Sequence, residues 1–276
     1  MPPHVDVRPC SVSGLFYPAA PAELEKQVRG FLSRATPGPS RGTVMGIIAP
    51  HAGYMYSGAT AGMAYATLAG ASYETVIIVS PSHRDFFDGV SVFPGDAYET
   101  PLGKVPIDAD KRTALLEACP IVHSSHRGHG EEHAVEVHLP FLQKVLPEFV
   151  LLPLVMGHQT RRNCLQLGEG IARVAQGHRV LLVASSDLSH YHQAAVAERL
   201  DHIFAEAVER FDPDGIMEVI ESGTAEACGG GPVVAVMAAL RALGATRFDI
   251  VHRCTSGDVT GDRKSVVGYL SAVAVH

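Results

Sequence analysis

Five short runs of branched aliphatic residues, each cut off by a polar turn, constrain this chain more than any other feature. They are TVMGIIA (43–49), ETVIIVS (74–80), FVLLPLV (149–155), RVLLVAS (179–185) and SVVGYLSAVAV (265–275). Runs of this length and Val/Ile/Leu content read as strands, and their lack of polar alternation marks strands buried on both faces. Between and around them lie stretches with helical spacing: 20–35, 57–70, 131–146, 163–175, 194–211 and 231–244. TPGPSRG (36–42) is a breaker that ends the first of these. Strand and helix alternate, so the expected fold is α/β: a central, mainly parallel or mixed sheet flanked by helices on both faces. No linker, repeat or low-complexity block divides the chain, and a single domain over 1–276 is expected.

The strands end alike. IIAPHAGY puts His51 just past the first, VIIVSPSHRDFF puts His83 past the second, and LLVASSDLSHYH puts Asp187 and His190 past the 179–185 run. Ligand sites in open α/β sheets form beyond the carboxyl ends of strands, so these residues are expected to converge. Pro50 and Pro81 help to set the direction in which the chain leaves each strand.

Cys228 lies in the small-residue turn ACGGGP before an amphipathic helix. The positive end of that helix favours a thiolate, the form that binds a metal or attacks an electrophile. The competing reading is a small buried side chain at a tight turn. His51, His83 and Cys228 together form a three-ligand set with open positions, as a catalytic metal requires. Asp187 reads either as a polar site residue or as a helix N-cap.

GHGEEHAVEVHLPFL (128–142) resembles a zinc-peptidase helix without being one, since HExxH is absent. His133 and His138 are five apart, about 140° around a straight helix, which prevents joint chelation. One of the two is expected to reach the site as an acid/base group or a supporting residue, with Glu136 orienting it. His4, His123, His126, His129, His158 and His276 are assigned no role.

Other function classes lack support. A net charge of −7 with no basic run argues against nucleic-acid or membrane partners. Five widely spaced cysteines without a CxxC pair point to a reducing, cytoplasmic setting, and neither a signal peptide nor a membrane-spanning run is expected. GxGxxG after a strand, GxxxxGK[ST] and GxSxG are absent, which removes the motif case for dinucleotides, P-loop nucleotides and a serine hydrolase.

With these residues in view, the chain resembles the MEMO family, which includes the B component of the bacterial AmmeMemoRadiSam system. RPCSVSGLFYPAAPAELEKQV, PHAGYMYSG, SPSHRDFFDGVSV, YETPLGKVPID, EEHAVEVHLPFL, SSDLSHY, ACGGGP and TSGDVTGDRKSVVGYLSAVAV carry the likeness nearly end to end. The resemblance implies a fold similar to class III extradiol dioxygenases, with His51, His83 and Cys228 at the metal position. His190 and Asp187 match adjacent polar residues, and His133, or else His138, matches a second catalytic histidine. It also implies Fe(II), with Cu or Zn as alternatives, acting with O2 on a catechol-like aromatic. Partner proteins of the AmmeMemoRadiSam system belong to the same expectation. A thiol stands where those dioxygenases use a carboxylate, so a non-catalytic metal-binding or interaction module, or a zinc hydrolase, are the other implied outcomes.

Overall fold

A computed structural model describes residues 5–36 and 42–276 of the chain. The expected breaker at 36–42, apart from its ends, and His4 lie outside them. The main sheet has nine strands: β1 (Val44–Ala49), β2 (Thr75–Pro81), β3 (Val90–Val92), β4 (Val122–Ser124), β5 (Val150–Met156), β6 (Val180–Ser185), β7 (His190–His192), β8 (Arg247–Thr255) and β9 (Val266–Val275). Their order across the sheet is β7-β9-β1-β6-β2-β5-β3-β4, with β8 paired to β9. The central four, β1-β6-β2-β5, are parallel, and β9 pairs antiparallel with β1. Each of the five expected strands is present within a residue of its expected bounds, and the sheet is mixed.

Alternate residues of the central strands feed two cores. Ile48, Ile77, Val79, Leu182 and Ala184 face one, with Leu167 and Ile171 of the helix Arg161–Ala175 and Val233, Val236, Met237 and Leu240 of the helix Gly230–Ala242. Ile47, Ala49, Val76, Ile78 and Val183 face the other, with Leu24, Val28, Ala61, Tyr65 and Phe141. Helices therefore cover both faces, which is why these strands carry no polar alternation. A second sheet of three short strands, Val7–Arg8, Ala97–Thr100 and Gly103–Pro106, packs beside the first. Among the described residues, no helix is long and apolar enough to cross a membrane. All five cysteines are free thiols.

The stretch 131–146 departs from expectation. Only Leu139–Val145 is α-helical, after a single 3-10 turn at Glu136–His138. Residues 131–135 form no helix because Glu132 Oε1 accepts from the backbone amides of His133 and Ala134, at 2.9 and 3.0 Å, and so closes a local turn.

Candidate metal centre

Strand order brings the site together. β6 lies between β1 and β2, so the chain segments leaving their three carboxyl ends are neighbours. His51 follows β1 by two residues, His83 follows β2 by two, and Asp187 follows β6 by two. One donor atom from each of His51, His83 and Cys228 lies within 4.8 Å of the others. The His51 and His83 ring centroids are 5.1 Å apart, and Cys228 Sγ is 3.2 Å from His51 Nε2.

Hydrogen bonds set the His51 tautomer. Ser185 donates its one hydroxyl proton to the Ala134 carbonyl at 2.7 Å, so Ser185 Oγ accepts from both rings beside it. These are His51 Nδ1 at 2.7 Å and His138 Nε2 at 2.8 Å. His51 thus carries its proton on Nδ1, and Nε2 offers a lone pair on the side of Cys228. His138, buried, receives the Tyr65 hydroxyl on Nδ1 at 2.8 Å and stays neutral, its pKa pushed down to about 3 by burial. His138 therefore supports the centre from behind, while His133 faces the pocket.

His83 is held by a carboxylate that sequence reasoning passed over. Glu132 Oε1 accepts from His83 Nδ1 at 2.9 Å and Oε2 from the His83 amide at 2.5 Å. The bond to Nδ1 leaves Nε2 as the atom available to a metal, the usual carboxylate–histidine arrangement around metal ions. Burial works against the Glu132 charge, yet His83, through its ring and its amide, holds the carboxyl down at about 2. His83, Glu132 and His133 also bring donor atoms within 4.8 Å of one another. Both Glu132 oxygens are already committed to N–H groups, so this cluster is a clamp and not a second ion site. Glu136, the expected orienter, lies elsewhere: it pairs with Arg8 and Tyr17 and accepts the Ser11 and Val12 amides.

Glu132→Gln is expected to weaken metal binding about 10–100-fold while leaving the ligand set in place. The amide would present N–H to N–H on one side of His83. Chelator competition reads the effect; unchanged affinity would remove Glu132 from the site.

Cys228 sits two residues before the helix Gly230–Ala242. Its turn is fastened on several sides. Gln159 donates to the Cys228 carbonyl at 2.7 Å and accepts the Gly231 amide at 2.8 Å, and Ser186 Oγ accepts the Gly229 amide at 3.0 Å. A Cβ on Gly229 would fall 2.0 Å from the Ser185 carbonyl oxygen, so only glycine lets this turn approach β6. The Asp187 amide donates to Cys228 Sγ at 3.3 Å. The expected depression of the thiol pKa is not found: burial, with the Asp187 carboxylate next, pushes it well up. Desolvation outweighs the helix end, and a bound cation would have to displace the thiol proton.

The remaining expected residues line the same pocket. Asp187 is no helix cap; its Oδ1 accepts the His51 amide at 2.8 Å, and burial raises its carboxyl to about 7. His133 stacks on His83 at 4.8 Å and contacts Phe16 at 4.7 Å, with burial lowering its pKa to about 4. His190 is likewise lowered by burial. The pocket has a volume of about 710 Å³ and is walled beyond the histidines by Phe16, Tyr56, Tyr191 and Tyr269.

The sequence matches the profile of the Memo-like protein family over residues 8–273. The chain belongs to the Memo family. A MEMO1 family protein of Methanopyrus kandleri is 36% identical, covering 95% of this chain and 97% of that one. Another, from Methanothermobacter thermautotrophicus, is 38% identical over 95% of this chain and 98% of its own length. Among solved structures, an uncharacterized protein of Escherichia coli K12 aligns with a TM-score of 0.44 at 16% identity, over 72% of this chain and 85% of that chain. For this Memo chain, the donor set fits a metal: two imidazoles whose Nδ1 atoms are engaged by Ser185 and Glu132, with one thiol, suit iron, copper or zinc and leave positions open to the pocket.

Proposed function

We propose that the pocket is the mononuclear metal centre of a dioxygenase-like redox protein that uses Fe(II) and O2 on a small catechol-like aromatic. The observation that carries this reading is the convergence of His51, His83 and Cys228 donor atoms at one side of an open pocket with aromatic walls. When bound, iron supplies Lewis acidity and electron transfer at the open coordination positions.

This chain's own residues supply the rest. His51 and His83 are held in ligand tautomers by Ser185 and Glu132. Phe16, Tyr56 and Tyr269 keep water from one side of a flat ring and hold it by face and edge contacts. His133 and His190, lowered by burial, are uncharged near neutral pH and offer a lone pair for the proton of a phenolic hydroxyl. Asp187, near 7, can hold or release a proton on a carboxylate oxygen in the same range.

The Cys228 thiol favours one second reading. A soft ligand in place of a carboxylate also suits copper, and a metal-binding or interaction module without turnover would retain the same donor atoms. Metal analysis of protein purified without oxygen, paired with oxygen uptake on a panel of catechols, separates the two. Near-stoichiometric iron with uptake is the expected result. Bound metal with no uptake on any diphenol would move the protein to the second reading, and a metal-free protein would end the metal-binding form of both and leave an interaction module.

A further inference from the structure

Among the described residues, two that are not glycine have left-handed backbone, Phe211 at φ 52° and Tyr191 at φ 63°. Phe211 has a local reason: it follows the helix Ala194–Glu209 and donates its amide to the Val208 carbonyl at 2.9 Å, a common way for a helix to end. Tyr191 has none of that kind. It is the middle residue of β7, where His190 pairs with Val267 and His192 with Val266, so Tyr191 is the extra residue of a β-bulge. That position is ordinarily glycine when its φ is positive, and a bulky residue there is strained.

The strain is not offset by burial of the ring. Tyr191 is 77% exposed, yet it lines the pocket together with Phe16, Tyr56 and Tyr269. Its neighbours are anchored. His190 lines the pocket, and His192 Nε2 is 2.9 Å from Glu226, two residues before Cys228. The bulge therefore places an aromatic side chain at the pocket from a backbone tied to the Cys228 turn.

We propose that Tyr191 is a pre-set aromatic flap that stacks on a planar aromatic ligand held in the pocket, and so selects flat rings. This rests on reading the pocket as a metal centre for a small aromatic. Tyr191 acts by positioning; it transfers no proton. Strain at a binding site is tolerated when the conformation is what recognition needs.

Two measurements test it, with 4-nitrocatechol as the probe. First, Y191G removes the strain and an exposed ring, so the unfolding midpoint without ligand should rise by about 2–4 °C. A midpoint that falls would show that Tyr191 supports the fold and would overturn the flap. Second, anaerobic spectrophotometric titration of iron-loaded protein should show Y191G binding about tenfold more weakly and Y191F within about twofold of wild type, with iron content equal in all three. Equal affinity for Y191G and wild type overturns the proposal. Iron-loaded wild type that does not bind 4-nitrocatechol overturns it as well, together with the aromatic ligand class. Titrating metal-free protein keeps the two readings apart: a tenfold loss in Y191G there, in protein that never takes up iron, would sustain the flap and remove the metal centre.

Discussion

Cys228→Ser protein is expected to lose iron affinity by at least about 100-fold, and His51→Ala and His83→Ala to lose stoichiometric binding altogether. Loss of a residue that only orients a ligand weakens metal sites about 10–100-fold, so removal of a ligand atom should reach or exceed the top of that range. The three donors come from different segments, so losing one leaves only two of the atoms that lie within 4.8 Å of one another. Glu132, the carboxylate beside His83, is occupied by the His83, His133 and Ala134 amides and by the His83 ring. Serine keeps the size of the side chain and the hydrogen-bond capacity toward the Asp187 amide, so the fold should survive the change at Cys228. Chelator competition with thermal unfolding as a control reads both effects. A His83→Ala protein with full iron occupancy would sink the ligand assignment.

Arg8→Ala should destabilise the fold by about 3–5 kcal/mol, because it strands a charge in the interior. Arg8 and Glu136 are 3% and 0% exposed and pair through Nη1 and Oε2. The Arg8 guanidinium also donates to the carbonyls of His129 at 2.7 Å and Gly130 at 3.2 Å, and lies 4.9 Å over the Tyr98 ring. Without it, Glu136 retains the Tyr17 hydroxyl and the Ser11 and Val12 amides but no cation. Those same bonds fasten the chain's beginning to the 129–136 segment, which carries Glu132 and His133. Urea unfolding at neutral pH measures the loss; a change below about 1 kcal/mol would mean that the pair contributes no more than a surface ion pair.

The convergence of His51, His83 and Asp187 was legible in the sequence because a parallel strand buried on both faces is aliphatic almost to its end. The first polar groups after each run therefore mark the sheet edge where ligands bind. The 131–146 segment was not legible. Its apolar residues fit a helical period, but Glu132 competes for the backbone amides that a helix needs, and Arg8 reaches in from more than a hundred residues away. Glu132 and Glu136 stand four apart beside histidines, and nothing local tells the histidine clamp from the arginine partner. Ser185 was hidden for a similar reason: a strand-end serine among aliphatic residues gives no sign that two imidazoles will donate to it. At Cys228 the helix end could be read from the glycines, whereas the burial that dominates its thiol depends on β6 and Asp187 packing against the turn.

The contact between His51 and Cys228 spans 177 positions of chain. A nascent polypeptide emerging from the ribosome displays both histidines long before the thiol exists, and a pair of imidazoles alone holds a divalent ion weakly. Closing so long a loop belongs to the late, topology-limited part of folding. An ion that needs all three donors would therefore have to wait until Cys228 has been made and its turn has docked against β6.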